Sequence, residues 1–483
     1  MPFNSLQYFL FLPAVLLVFH FTRDRWRWAV LLLASLGFYA ALGDPYLLAA
    51  LAAVTMTTYL LGIRIGGTGY HSRKTALLWI GIAINLLVLI SMKFIHSMTG
   101  TGHPSPSGIG RMDLSPAGGT ILAIGVSYYT LQAISYLVDI YLGTGEAERH
   151  PGRFALYLSV FPKILQGPIE RGRDLIPQLR SPYVFDYAEA RAGVLRIAGG
   201  LFKKMVIADR LAQYVNPVYD NVHAYSGVVF IVVTYLYALQ IYYDFSGYTD
   251  IALGSARLFG IRLTENFRNP YTATSIADFW RRWHISFSRW ILDYIFRPLQ
   301  MRFRHGGTGG TAVALILTFL ASGLWHGVGW GFVVWGSLHG LFLACSVYYK
   351  PHQRSIYRKL GVTAGWKSTL WQRFVTFHLV CLAWIFFRAN SIADAGYILT
   401  HLFAGTGKIA RLLTSHERLE MWICVLSLGI MVFLYHLGKR RDKWEYLFSK
   451  PAVVRWGFYY ATALYILVFG KYFSPQTFIY GKF

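Results

Sequence analysis

Two histidines stand where a charge is costly. His326 lies in ASGLWHGVGW, a run otherwise apolar for many residues, flanked by Trp325 and Gly327 with Gly323 and Gly329 close by. His284 lies in SIADFWRRWHISFSRWILDYIFRP, among tryptophans and arginines. An ionisable residue at membrane depth is a functional hypothesis by default, and histidine exchanges protons near neutrality. The other reading of His326 is a core histidine satisfied by a backbone carbonyl, which the surrounding glycines make easy. On residue types alone both readings stand. For His284 the functional reading is entry into a protein cavity, with arginines nearby for an anionic substrate. Guanidinium groups hold phosphates through paired hydrogen bonds, so Arg268, Arg281 and Arg282 suit a phosphate-rich, CoA-like donor. Glu170, Asp244 and Asp250 are cavity residues or ion-pair partners of nearby arginines, and the ion-pair reading is preferred. His339, in GSLHG, is read as a packing histidine. At 100° per residue it falls about 140° from the face of His326.

The run around His284 projects well onto one helix. Ser275-x-x-Asp278 supplies a capping box and Pro298 follows the end. Phe279, Trp280, Trp283, Phe287, Trp290, Ile291 and Tyr294 then gather on an arc of about 120°. Arg282 and Arg289 face the other way, and His284 sits at the arc's edge near Trp280. Considered alone, such a helix is a membrane-surface anchor, rings toward lipid or core and guanidinium groups toward headgroups.

These segments sit in a chain built for lipid. Of 483 residues, 55% are hydrophobic and 17% aromatic, and only 14% are charged. Mean hydropathy is +0.41. Soluble domains carry roughly a quarter charged residues, so about half the usual charge is missing. A net charge of +24 could suit nucleic acid, but a membrane protein carries the same excess in its cytoplasmic loops, and no nucleic-acid partner is expected. Cys345, Cys381 and Cys424 each lie in apolar sequence without metal spacing, and read as small buried hydrophobes. No metal site is expected.

Apolar runs long enough for membrane helices recur from Phe3–Phe21 to Trp456–Phe473, giving about 10–13 membrane segments including partial ones. The first run lacks a basic start and a cleavage site, so it reads as a helix and not a signal peptide. Arg23, Arg25 and Arg27 in the first loop, and Arg64, Arg73 and Lys74 in the third, place those loops in the cytoplasm and the N-terminus outside. Lys439, Arg440, Arg441 and Lys443 then fall inside as well. Residues 100–119, rich in Gly, Pro, Ser and Thr, read as an exposed loop. Residues 154–177 are apolar but broken by Pro162, Lys163, Gly167 and Pro168, and read as a re-entrant or interfacial piece. No linker or internal repeat divides the chain. It is read as one membrane-embedded unit, 1–483, whose motif core spans about residues 119–349.

LTENFRNPY, DFWRRWHIS and GLWHG, in this order, resemble the membrane-bound O-acyltransferase (MBOAT) family. MPFNSLQYFLFLP, QGPIERGRDLIPQL and YYDFSGYTDIALG resemble its bacterial branch, which holds alginate-type acetyltransferases and teichoic-acid D-alanyl transfer proteins. The resemblance implies an all-α polytopic fold around a central tunnel, with re-entrant or interfacial helices. It implies that His326 is the catalytic histidine and His284 its motif companion. It further implies that Asn266 shapes the same cavity, and that Trp280, Trp283 and Trp325 occupy motif positions; Asp244 is grouped with these tunnel residues. One departure falls at Phe296–Arg302, where the alginate-type pattern reads differently, and it bears on the carrier or accessory protein met at the cytoplasmic mouth.

The reaction then expected is acyl transfer, foremost acetyl, from a cytoplasmic thioester such as acetyl-CoA toward hydroxyls of an exported polysaccharide. His326 would take the hydroxyl proton, while His284, Asn266 or a backbone N–H stabilises the oxyanion or orients the base. No Gly-x-Ser-x-Gly elbow favours a serine acyl-enzyme. The donor is a co-substrate and no bound cofactor is expected. Expected partners are the acyl donor or an acyl carrier protein, the lipid bilayer of a bacterial inner membrane, and a separate periplasmic acetyltransferase-like protein. D-alanyl transfer from a carrier protein is the runner-up, and a transporter or flippase the alternative of another class.

Overall fold

A computed structural model describes residues 2–99, 125–327, 329–359, 365–405, 415–438 and 447–472. The expected loop at 100–119 and the Lys439–Lys443 cluster lie outside these residues. The regular elements among the described residues are all helices, and these residues contain no strand.

The first four helices run up and down with short connections: α1 (Leu6–Phe21), α2 (Asp24–Ala40), α3 (Pro45–Gly67) and α4 (His71–Thr99). α5 (Val126–Tyr141) is buried on nearly every side, with only Val138 and Tyr141 partly open. It is a central pillar and does not face lipid. Two short helices, α6 (Pro151–Ser159) and α7 (Gly172–Arg180), bracket an irregular turn. Then come α8 (Tyr187–Leu201), a π-helical stretch at Phe202–Ala208, α9 (Asp209–Asp220) and the long α10 (Val228–Leu258). After a short extended stretch follow α11 (Ile276–Trp280), α12 (Ile285–Ile291) and α13 (Arg297–Arg302). The chain ends in α14 (Gly307–His326), α15 (Trp330–Lys359), α16 (Trp366–Arg388), α17 (Ile392–Thr400), α18 (Ser415–Gly438) and α19 (Ala452–Phe469).

Seven of the described helices are long and apolar enough to cross a bilayer: α3, α4, α10, α14, α15, α16 and α19. Outward residues such as Leu87 in α4, 66% exposed, are the apolar surface that lipid covers in a protein of this kind. Inside, α5 and α10 each contribute to two apolar cores. Tyr129, Tyr136 and Tyr248 pack toward α1–α4 and the re-entrant turn, whereas Tyr128, Leu131 and Phe245 pack toward α11–α16.

Small residues let helices touch where lipid offers no hydrophobic drive. At the α14–α15 crossing, a Cβ on Gly323 would lie 2.3 Å from the Phe332 carbonyl oxygen, and one on Gly336 would lie 2.3 Å from that of Phe319. At the α8–α10 crossing, Gly200 meets the carbonyl of Gly247 in the same way, at 2.6 Å. Polar groups in this second seam are ion-paired. Lys204 binds Asp244 at 2.7 Å and Asp209 at 2.9 Å, all buried, and Asp250 takes Lys203 at 2.6 Å and Arg196 at 2.9 Å.

The re-entrant reading of 154–177 matches the observed backbone. It leaves helical form after Ser159, and every residue from Leu156 to Glu170 is buried. Its N–H groups find protein partners, as membrane depth demands. Phe161 N donates to Ser35 Oγ (3.0 Å), Gln166 N to Tyr248 OH (3.0 Å) and Ile169 N to Ser286 Oγ (3.0 Å). Lys163, fully buried, donates to Gln132 Oε1 and to the Leu158 carbonyl.

Three expectations need correction. The run 275–298 is not one helix but breaks at Arg281–His284, because the preceding extended stretch captures its backbone. His326 and His339 belong to different helices, so a single helical count between them has no meaning. Cys381 and Cys424 are buried, but Cys345 is exposed on the outer face of α15.

Candidate functional site

His326 is the last residue of α14, and Gly327 leaves the helix in an extended conformation. The ring is 2% exposed. Its Nδ1 lies 2.7 Å from the Ser322 carbonyl oxygen, one turn back. A carbonyl only accepts, so Nδ1 carries the hydrogen and Nε2 is the basic nitrogen of the neutral ring. Four aromatic rings surround it: Trp325 and Trp335 at 4.8 Å, Phe287 at 5.4 Å and Phe387 at 5.6 Å between centroids. The carbonyl satisfaction foreseen for a core histidine is therefore present, and it also fixes the tautomer.

His284 is fully buried in the break between α11 and α12, with φ +43° and ψ +54°. Left-handed backbone is uncommon for any residue but glycine and persists where the surroundings over-determine it. Here the extended stretch 264–268 does so. Arg268 N donates to the Arg282 carbonyl (3.0 Å), Ile285 N to the Asn266 carbonyl (3.0 Å) and Ser286 N to Asn266 Oδ1 (3.1 Å). Ser286 Oγ in turn accepts from Ile169 of the re-entrant turn, and the Glu170 carboxylate accepts from Thr264 N at 2.6 Å and Thr264 Oγ1 at 3.0 Å. Three irregular segments are thus knotted beneath one histidine.

Phe287 and Trp325 stack at 4.5 Å and touch both histidines. Phe287 lies 5.1 Å from His284 and 5.4 Å from His326. Phe245 of α10 meets His284 edge-on at 4.8 Å. The structure brings together residues over 40 positions apart in the chain, as their motif pairing requires.

The other expected residues fall around this pair. Asn266 is fully buried at the knot. Trp283 packs against Phe267 (5.1 Å) and Trp384 (5.2 Å). Trp280 donates its indole N–H to His339 Nδ1 at 3.2 Å. Trp325 donates to the Ser127 carbonyl of α5 at 3.4 Å, and its own carbonyl receives Lys93 from α4. Asp244 is ion-paired with Lys204, one residue from Phe245. Arg268, in the extended stretch, and Arg281 are exposed and Arg282 is partly open, the last two on the break that carries His284 inward. Asp278 holds Arg282 at 3.0 Å and Arg281 at 3.5 Å. Burial opposes the Asp278 charge, but the Arg282 hydrogen bond and both guanidinium charges keep its carboxyl below the usual range. No cluster of three potential metal ligands occurs among the described residues.

A sequence profile of the membrane-bound O-acyltransferase (MBOAT) family matches residues 149–388, which hold both histidines, Asn266, the three tryptophans and the three arginines. The chain is 34% identical to the "probable alginate O-acetylase" of Pseudomonas aeruginosa over 88% of its own length and 79% of the relative's. This chain belongs to the membrane-bound O-acyltransferase family. As an MBOAT enzyme it is a multi-pass membrane O-acyltransferase. It is also 32% identical to the peptidoglycan O-acetyltransferase of Helicobacter pylori over 76% of this chain and 72% of that protein. Similarity to the teichoic acid D-alanyltransferase of Bacillus subtilis is lower, 26% over 59% of this chain and 71% of that protein.

Around this MBOAT site, sequence reasoning did not single out Ser286, Trp335 or Lys93, and it read His339 as packing, which its burial against Trp280, Phe319 and Trp335 matches. Trp335 and His339 are four apart on α15, one helical turn, and that spacing was the only signal. Nothing in the sequence marked Ser286 or Lys93.

Proposed function

We propose that this MBOAT protein transfers an acetyl group from cytoplasmic acetyl-CoA toward hydroxyls of an exported polysaccharide, with His326 as general base. The observation that carries the reading is the Nδ1–Ser322 bond, which leaves a basic Nε2 on a buried ring beside the second motif histidine. A hydroxyl is a poor nucleophile at neutral pH, and a base near neutrality contributes about 10²–10⁴-fold.

His326 Nε2 takes the hydroxyl proton as the oxygen attacks the thioester carbonyl. The tetrahedral intermediate collapses by breaking the C–S bond. The imidazolium returns its proton to the departing thiolate, so the base is regenerated. His284, held in its left-handed turn, orients or stabilises the acyl group. Arg268, Arg281 and Arg282 form a rim for donor phosphates, supported by their exposure beside the turn that bears His284. The loops with Arg23, Arg25 and Arg27, and with Arg64, Arg73 and Lys74, support a cytoplasmic placement of that side and an inner-membrane location. A separate periplasmic protein completes delivery to the sugar.

Two relatives named for O-acetyl transfer, each above 30% identity, support acetyl over D-alanyl. The test supplies membranes with radiolabelled acetyl-CoA or, separately, D-alanyl-loaded carrier protein. Label entering polymer from acetyl-CoA alone fits the proposal. Label entering only from the loaded carrier overturns the acetyl assignment.

A further inference from the structure

His339 packs inside the helices as its sequence reading expected, and it also makes a side-chain hydrogen bond. The glycine crossing of α14 and α15 sets Trp335 against His326 with centroids 4.8 Å apart, and His339 against Trp335 at 5.2 Å. His339 and Trp335 are both wholly buried. The Trp280 indole can only donate, so His339 Nδ1, which it contacts at 3.2 Å, is the accepting nitrogen. A neutral ring then carries its hydrogen on Nε2. That Nε2–H is buried and has no hydrogen-bond partner among the described residues, and the same holds for Trp335 Nε1–H.

Buried N–H groups are satisfied in the large majority of cases, and each one left unmade costs about 1–3 kcal/mol. Two such donors sit one turn apart on a single helix, Trp335 against the base and His339 against Trp335, and they call for an acceptor that arrives with the substrate. The chemistry needs one there. When the acceptor oxygen bonds to the acyl carbon, the carbonyl π pair moves onto oxygen, and that oxygen then requires fixed donors while the base holds the proton. We propose that Trp335 Nε1–H and His339 Nε2–H are catalytic donors that receive the acyl carbonyl oxygen as it becomes negative. Trp280 is then a positioning residue, because its indole selects the His339 tautomer. The inference rests on the proposal that His326 is the base.

The test uses full-length protein in membranes with radiolabelled acetyl-CoA and, in parallel, D-alanyl-loaded carrier protein. It compares wild type with His326→Ala, His339→Leu, His339→Gln and Trp335→Phe, each with a thermal unfolding midpoint. Leucine removes both polar functions. Glutamine keeps an oxygen for Trp280 and an N–H for substrate. The expected result is a kcat lowered about 10²–10³-fold in His339→Leu at unchanged donor KM, largely rescued in His339→Gln, with a smaller loss in Trp335→Phe. Wild-type kcat in folded His339→Leu, with His326→Ala inactive, overturns the inference alone. Equal losses in the leucine and glutamine variants that track loss of folded protein also overturn it, leaving a packing histidine or one holding a buried water. Full activity in His326→Ala, or no transfer by wild type from either donor, removes the base assignment and the inference with it.

Discussion

Asn266→Ala tests whether the knot beneath His284 sets the geometry of the site. The substitution removes Oδ1, the acceptor of Ser286 N at 3.1 Å, in a fully buried place. The Ile285 N bond to the Asn266 backbone survives, so the turn loses one of its local tethers and keeps the others. An unpaired buried N–H costs about 1–3 kcal/mol. The left-handed His284 stores a further strain of order 1–3 kcal/mol, which relaxation of the turn would release. If the first cost is expressed wholly as displacement of His284, the rate falls by about 5–150-fold, since 1.36 kcal/mol is tenfold. Ser286→Ala is the companion change. It leaves the Asn266 bond but orphans Ile169 N of the re-entrant turn, and a similar loss is expected. The assay is label transfer in membranes, with kcat and donor KM separated and a thermal midpoint recorded for each variant. A lowered kcat at near-native KM supports the reasoning. Wild-type kcat with a wild-type midpoint in Asn266→Ala would refute it, because the turn would then be held by other contacts.

Other perturbations probe the scaffold and the rim. Gly323→Ala drives a methyl to 2.3 Å from the Phe332 carbonyl, so α14 and α15 must separate; gel filtration of detergent-solubilised protein should show a reduced monodisperse yield. Lys204→Met, in the π-helical stretch, strands Asp244 of α10 and Asp209 of α9 at a cost of about 3–5 kcal/mol, whereas Lys204→Met with Asp244→Leu should recover part of the lost unfolding midpoint. Arg281→Ala should raise donor KM severalfold and weaken its dependence on salt while leaving kcat near wild type, as measured by initial rates at varied ionic strength. Unchanged KM in Arg281→Ala would remove that side chain from the donor rim.

How much was legible in the sequence follows from the range of each interaction. Local signals carried well: the apolar runs became helices, and the Pro162–Pro168 segment became buried irregular backbone. The histidine motifs met in space as their resemblance to MBOAT motifs implied. Long-range capture of backbone was not legible. The aromatic arc of 275–298 obeys helical spacing, and nothing in it announces that Asn266 will take the N–H groups of Ile285 and Ser286 and force His284 left-handed. The place of His339 was not legible for a related reason. Its spacing from His326 was counted along one helix, but Gly327 ends α14 and α15 folds back, so contact is set by the glycine crossing. For Asp244 the favoured reading foresaw an ion pair with a nearby arginine, and the pair forms with a lysine instead. The particular partner, Lys204, depended on a π-helical stretch that residue types do not signal.

Acyl transfer in this enzyme is proposed to use His326 Nε2 as the base. The most direct measurement is label transfer from radiolabelled acyl donor to polymer in membranes containing wild type, His326→Ala or His326→Gln at matched levels of folded protein. Both variants are expected to lose transfer by about 10²-fold or more while still binding donor. Transfer at the wild-type rate in folded His326→Ala would contradict it.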